Sequence, residues 1–451
     1  MKTEVELKKG LPTNETHLWN AITRYNPDAE PTVAVSGEGS WFTDENGNRY
    51  LDGVSGLWCL NLGHGRQEIV DAAAEQMKAL SYFPLTMNHK PAVQLAGKIS
   101  ELLGADYQVF FSNSGSEANE TAFKVIRQYH IQTGNPGKYK IISRYRGYHG
   151  ATLGALSATA QANRRVKYDP GVPGFLHVHP PYSYRSLFEG TPEETDLKAA
   201  DLLESTIQHE GEESVAAFIM EPFISGGGVI VPSVKYIQRV QEICKKYNVL
   251  LVMDEVVSGY GRTGEMFGFQ HAEGVQPDIV TMAKGLTSGY LPLGATAVKS
   301  EIYEVFKKQG KDNHFRHVST YGGHPAACAV ALANITIIEK ENIVERVKEL
   351  GESKIGRVHL LSDHKNVGEV RQAGFLVGME MVADKETKEP LDDEKMGSIL
   401  AECRKCGLII GRNGDTVPGL NNVIIIAPPL TSTEEDLDFL VETVESVIRS
   451  L

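Results

Sequence analysis

Apolar residues along this chain fall into two rhythms. From about residue 65 to 330, short apolar runs alternate with longer stretches in which apolar positions recur every three or four residues. The runs suit buried strands, and the longer period suits amphipathic helices. Strands regularly separated by helices predict an α/β domain with a mostly parallel, doubly wound sheet. The clearest runs are residues 107–111, 215–220, 249–253 and 279–283. Ahead of them, Trp41-Phe42-Thr43-Asp44 and Arg49-Tyr50-Leu51-Asp52 flank the turn Glu45-Asn46-Gly47-Asn48. An Asn-Gly pair so placed predicts a hairpin. The opening segment is polar, with a helical turn expected around residues 14–20 and breaks at Pro27 and Pro31. After the large unit, residues 326–350 predict one long connecting helix. Residues 370–381, a helix over 393–406, the run 423–426 and a closing helix predict a smaller α+β unit. The expected division is an N-terminal segment (1–64) contributing to the small domain, a large domain (65–330), and a connector with the small domain (331–451).

Composition narrows the classes. The chain has 451 residues, 41% hydrophobic and 23% charged, enough for a sizeable globular core. Its 45 basic and 58 acidic residues give a net charge of −13, which argues against nucleic acid or an anionic membrane as partner. No apolar stretch approaches the roughly 20 residues of a membrane helix. The N-terminal MKTEVELKKG has no apolar segment behind it, so no secretory signal is expected. Five cysteines do not make a disulfide framework. These features predict a cytoplasmic enzyme.

What closes each apolar run bears on the chemistry. Residues 107–111 lead into Ser112-Asn113-Ser114-Gly115-Ser116-Glu117 and then a helical stretch from Ala118. The other three runs end in Glu221-Pro222, Asp254-Glu255 and Lys284-Gly285. In open α/β sheets, ligands bind at the carboxyl edge of the strands. Four such ends on one sheet would gather an anion seat, two carboxylates and a lysine around one crevice.

Each also has an ordinary explanation. Ser114-Gly115-Ser116 before a helix favours a phosphate, yet Ser114 with Glu117 equally fits a capping box. Asp254 needs a partner to offset its desolvation. It also has the form of a Walker-B acid, but the chain lacks the GxxxxGK[ST] loop that would accompany one. Lys284 could lie at the surface, although the apolar run before it and Gly285 after it point inward. A buried lysine has a depressed pKa suited to imine formation. Together, lysine, carboxylate and phosphate seat are what pyridoxal phosphate requires: the lysine holds the aldehyde, the aspartate keeps the ring nitrogen protonated, and the loop anchors the phosphate.

Three other motifs carry less. Gly259-Tyr260-Gly261-Arg262-Thr263-Gly264 satisfies GxGxxG, but Phe267-Gly268-Phe269-Gln270 after it does not open a helix, so a turn is expected. Cys403-Arg404-Lys405-Cys406 is a lone CxxC with no second pair, and His177-Val178-His179 has no third ligand in view. No metal site is expected.

The stretches Ser114-Gly115-Ser116-Glu117-Ala118-Asn119, Tyr148-His149-Gly150, 254–264 (DEVVSGYGRTG), 277–286 (PDIVTMAKGL) and 320–325 (TYGGHP) occur in this order over the large domain. With them the chain resembles, almost end to end, the class III aminotransferases, and among these the amine–pyruvate ω-transaminase branch. The resemblance implies the fold type I architecture of pyridoxal-phosphate-dependent transferases, with residues 65–330 as the cofactor-binding domain. Lys284 would be the Schiff-base lysine and the acid/base for the proton shift. Asp254 would pair with the pyridinium nitrogen, and Gly115 and Ser116 would hold the phosphate. Thr320 would help from the other subunit of a homodimer with shared active sites, or of a tetramer. Tyr148 would stack on one ring face and Val256 pack on the other, with Glu221 supporting the site near Asp254.

The same resemblance places Trp58, Tyr82, Phe83 and Tyr148 in the substrate pocket, although aromatics such as Phe83 also serve as plain core. Arg412 would bind the carboxylate of pyruvate or of an amino acid; its ordinary alternative is a surface arginine beside Asp415. The link 414–422 departs from the family pattern by its length. The implied activity moves an amino group from an amine or ω-amino acid to pyruvate, giving alanine. Alternatives are diaminopelargonate synthesis with S-adenosylmethionine as donor, taurine or β-alanine as donor to pyruvate, decarboxylase or aminomutase chemistry, and a cofactor-binding protein without turnover.

Overall fold

Asp44 turns the chain at the expected hairpin with its own side chain. Its carboxylate accepts the amides of Asn46 at 3.0 Å and Asn48 at 2.8 Å, while Gly47 takes a left-handed φ of 82°. The computed structural model describes residues 17–21, 32–308, 310, 312–414 and 416–451. In it the hairpin is β2 (Trp41–Asp44) and β3 (Arg49–Asp52), with β1 (Ala34–Glu38) added along β2. Of the helical turn expected around 14–20, residues 17–20 are not helical. The rest of it, with Pro27 and Pro31, lies outside the described residues.

The alternating pattern builds a seven-stranded sheet. Its strands are β4 (Tyr107–Ser112), β5 (Lys140–Arg144), β6 (Phe175–Val178), β7 (Val215–Met220), β8 (Leu250–Asp254), β9 (Ile279–Met282) and β10 (Gly294–Lys299). They lie in the order β4-β10-β9-β8-β7-β5-β6, and only β10 runs against the others. Every residue of β7, β8 and β9 is buried, which is why these strands read as unbroken apolar runs. Each large aliphatic side chain so buried contributes about 1.5–3 kcal/mol, so the central strands admit charge only at their ends. Helix Gly115–Gln132 leaves β4 and packs across β10, β9, β8 and β7. Its N-terminus therefore stays at the carboxyl edge.

One expectation for the C-terminal part needs correction. Residues 326–350 form two helices, Pro325–Lys340 and Ile343–Ser353, parted where Asn342 adopts a φ of 51°. Asparagine tolerates that left-handed conformation, which a helix cannot run through. Residues 370–381 form two antiparallel strands, β11 (Val367–Ala373) and β12 (Leu376–Asp384), which turn at Gly374. A Cβ on Gly374 would lie 2.6 Å from the carbonyl carbon of Thr263, and its φ is 54°. Only glycine fits there.

The short β13 (Glu389–Pro390) pairs with β12, and helix Asp393–Lys405 follows. Then come β14 (Leu408–Ile409), β15 (Gly411–Arg412), β16 (Val423–Ile426) and the closing helix Glu434–Arg449. Strand β16 joins β12 and β15, whereas β14 runs parallel to β3 with Leu408 opposite Leu51. The two ends of the chain thus share a sheet. Arg262, in the GxGxxG stretch, ties them further: its guanidinium donates to the carbonyls of Phe375 and Pro428, to Ser55 Oγ and to Asn61 Oδ1. The glycines around it shape a turn, with Gly261 and Gly264 both at positive φ.

Candidate active site

The polar residues that close the central strands meet in one crevice of about 430 Å³, a volume suited to a small molecule. Ser114, Gly115, Ser116, Tyr148, Glu221, Asp254, Val256, Lys284 and Trp58 all line it. Lys284 follows β9 and takes a φ of 46°, a conformation that costs a non-glycine residue about 1–3 kcal/mol. Asn334 holds the strained turn, donating from Nδ2 to the carbonyls of Gly285 at 2.8 Å and Leu286 at 3.1 Å. The Lys284 ammonium lies 5.0 Å from the centre of the Trp58 ring and has no hydrogen-bond partner among the described residues. Burial lowers its pKa below the ordinary lysine value, opposed by the charges of Cys59, Asp254 and Glu221.

Asp254 closes β8 with its carboxylate fixed on three sides. Oδ2 accepts from Asn119 Nδ2 at 2.8 Å and from His149 Nδ1 at 2.8 Å, and Oδ1 accepts the Val256 amide at 3.2 Å. Asn119 and His149 stand inside motifs already singled out, but their part was missed because neither lies near Asp254 in sequence. The neighbouring Glu255 turns the other way, as successive strand residues do. It accepts from Ser258 Oγ at 2.6 Å and from the amides of Gly268 and Phe269 at 2.8 Å each. Its complete burial pushes its pKa up to about 7.

Glu221, after β7, does not touch Asp254 directly. It accepts the amides of Tyr148 and Ser225 at 3.0 Å each, so it fixes the loop carrying Tyr148. Its burial raises its pKa above the usual carboxylate value.

Ser114 caps helix Gly115–Gln132, its Oγ accepting the Glu117 amide at 3.2 Å. The capping box is only half formed. Glu117 reaches back instead to the Asn113 amide at 2.9 Å and to Ser319 Oγ at 2.9 Å. The amides of Gly115 and Ser116 are left without a partner among the described residues, at the positive end of the helix dipole. A Cβ on Gly115 would approach Val256 Cγ2 to 2.9 Å, so the missing side chain lets Val256 sit against the loop.

Tyr82, Phe83 and Arg412, expected in the substrate pocket, stand outside this crevice, as does Thr320, which was expected to act from the other subunit. Thr320 is exposed and outside the crevice; its carbonyl accepts the Tyr82 hydroxyl at 2.8 Å. Tyr82 packs instead near Tyr321, ring centres 6.0 Å apart, and the half-buried Phe83 beside it does not line the crevice. Arg412, on β15, pairs with Asp393 at 3.1 Å outside the crevice, and its sequence-based neighbour Asp415 lies outside the described residues. Conversely, Arg164 and Gln161 line the crevice without having been singled out for it. Arg164 stood in a polar stretch with no periodic signal.

The remaining motifs have structural surroundings. His177 lies between Ser143 Oγ at 2.8 Å and Arg165 Nη1 at 3.0 Å, and burial pushes its pKa down to about 4. Cys403 is buried and Cys406 exposed. Among the described residues, no helix is long and apolar enough to cross a membrane.

A buried lysine, a thrice-bonded carboxylate, free amides at a helix start and a flanking tyrosine fit pyridoxal phosphate. Comparison with known proteins agrees with that fit. Residues 24–448 match the family model for aminotransferase class-III. The chain is 52% identical to an uncharacterized aminotransferase of Bacillus subtilis, over 99% of this chain and 98% of the other. It is 38% identical to the taurine–pyruvate aminotransferase of Rhodobacter capsulatus (98% and 97%) and 41% identical to the putrescine–pyruvate aminotransferase of Pseudomonas aeruginosa (91% and 88%). A Bacillus anthracis aminotransferase superposes with a TM-score of 0.93 at 48% identity, covering 96% of each chain. An (S)-enantioselective ω-transaminase from Thermomicrobium roseum gives 0.86 at 41%, covering 93% and 92%. The chain belongs to the class III aminotransferases, enzymes that depend on pyridoxal phosphate.

Proposed function

We propose that the protein moves an amino group from a primary amine or ω-amino acid to pyruvate, yielding alanine. The observation that carries this reading is the crevice itself: a free lysine amine and a fixed carboxylate beside a wall of Leu57, Trp58, Leu291 and Leu293. Such a wall suits the aliphatic stem of an amine. Relatives named for taurine and putrescine, both using pyruvate, support the same donor and acceptor classes.

When bound, pyridoxal phosphate supplies a carbonyl that exchanges with amines and a ring that accepts electrons. Gly115 and Ser116 would seat its phosphate, Tyr148 and Val256 would flank its ring, and Asp254 would face its ring nitrogen. Lys284 takes and returns a proton at Nζ, helped by the burial that favours its neutral form. Trp58 lies beside the Lys284 amine, its ring centre 5.0 Å from Nζ. We further read the enzyme as a cytoplasmic homodimer whose division at about residues 64 and 330 follows the sequence pattern. The exposed Tyr82, Phe83 and Thr320 would then complete the partner's site, because nothing in their own crevice uses them.

An absorbance spectrum of the purified protein tests this. A yellow band that bleaches with β-alanine, taurine or putrescine and returns on adding pyruvate is expected. A protein that keeps its band with every amine would overturn the donor assignment, and one that recovers only with another oxo acid would overturn the acceptor.

A further inference from the structure

Arg164 stands at the crevice with unused hydrogen-bonding capacity. It belongs to the short helix Ala162–Arg165, and its Nε donates to Gln161 Oε1 at 2.8 Å. Gln161 is itself buried and fixed, donating from Nε2 to the Arg146 carbonyl at 2.9 Å. The guanidinium lies 5.1 Å from the centre of the Tyr148 ring. A planar guanidinium held against an aromatic face keeps its outer edge free, and a fork of two nitrogens matches a carboxylate or sulfonate. Neither Nη atom has a hydrogen-bond partner among the described residues.

Nearby arginines are already engaged. Arg165 pairs with Asp169 and His177, Arg144 donates to the Glu221 carbonyl, and Arg146 donates to Gly227 O at 3.0 Å. Arg412 pairs with Asp393 away from the crevice. A second buried donor lines the same crevice: Trp58 Nε1 has no partner among the described residues. Arg164 lies close enough to Lys284 for its charge to bear on the lysine amine.

We propose that Arg164, oriented by Gln161 and Tyr148, receives the acidic group of the donor, which makes ω-amino acids or ω-aminosulfonates the preferred substrate class. This deepens the proposed function and rests on it for the amine end of the molecule. The acid end stands on Arg164 alone and can be measured separately.

The probes are propanoate and ethanesulfonate, which carry the acid of β-alanine and taurine without the amine. Their dissociation constants for the holoenzyme are read by calorimetry in the wild type, Arg164→Gln and Arg412→Gln. One probe or both should bind the wild type, tenfold or more weaker in Arg164→Gln and within twofold in Arg412→Gln. Whichever probe binds distinguishes a carboxylate from a sulfonate donor. In single-turnover bleaching, the rate ratio of β-alanine or taurine over n-propylamine should fall by a similar factor in Arg164→Gln. The proposal is overturned if neither acid binds the wild type, if Arg164→Gln binds both as the wild type does, or if the loss follows Arg412→Gln. An enzyme bleached by no amine, yet losing acid binding in Arg164→Gln, would sink the proposed function and leave the acid site standing.

Discussion

The crevice around Lys284 and the surface around Tyr82 are assembled on opposite terms. In the crevice, Asp254, Glu221 and the Ser114 loop are buried or half-buried, and hydrogen bonds fix each of them. Around Tyr82, the aromatic groups are exposed: Tyr82 by 39% and its ring neighbour Tyr321 by 63%. A buried charge must find its partners within the chain, so one chain suffices to specify the crevice. An exposed cluster of large apolar groups gains nothing within its own chain, and such clusters mark contacts with another body. The polar framework of the first region is held within a single chain, whereas the second is the surface proposed above to meet a partner subunit.

Substitutions on the two sides separate these terms. Lys284→Ala should reduce turnover by more than about 10⁴-fold, because it removes both the attachment point and the proton carrier. Circular dichroism should show the fold retained, and residual turnover near wild type would overturn the assignment of Lys284. Asp254→Asn should cost about 10²–10³-fold in kcat, since the charge goes while the size and most hydrogen bonds stay.

Glu255 tests the side of the strand that faces away. Its folded pKa of about 7 exceeds the unfolded value of about 4.3. The folded state therefore binds more protons between those values, and stability falls as pH rises from about 4.3 to 7. The loss contributed by Glu255 is roughly 4 kcal/mol over the window. In Glu255→Gln this decline should vanish, read as the pH dependence of urea unfolding with the wild type as reference. Equal slopes in both proteins would show Glu255 to titrate as an ordinary carboxylate.

The smallest effect belongs to the open surface. Tyr321→Asp should leave the stability of the single chain within about 0.5 kcal/mol, as expected for an exposed site. It should weaken self-association by about 1–2 kcal/mol, seen as a shift toward lower mass in sedimentation velocity, with activity falling in step. An unchanged mass distribution would place the subunit contact elsewhere and remove the reason for assigning Thr320 to the partner's site.

Much of the site was legible before the fold because burial constrains sequence. Strands β7, β8 and β9 are covered on both faces, so their runs had to be apolar and their charged residues had to gather at the ends. The helix start after Ser114 was equally readable from its serines and glycine. The breaks at Asn342 and Gly374 were not, since both lie inside apolar patterns that a longer helix or strand would also satisfy.

By itself, then, the sequence determined the alternating α/β order, the four polar strand ends and the motifs shared with the class III aminotransferases. These are local properties, set by period, by burial and by residue chemistry. The tertiary structure alone decided that Asp254 faces the crevice while Glu255 turns away from it. It also decided that Asn119 and His149 reach Asp254 from 135 and 105 residues off. The same long-range packing put Arg164 at the crevice and Arg412 beside Asp393. Arg164 sits in a polar stretch and Arg412 just past the short apolar run 408–410, so local pattern does not rank them and only the packing of distant segments could choose between them.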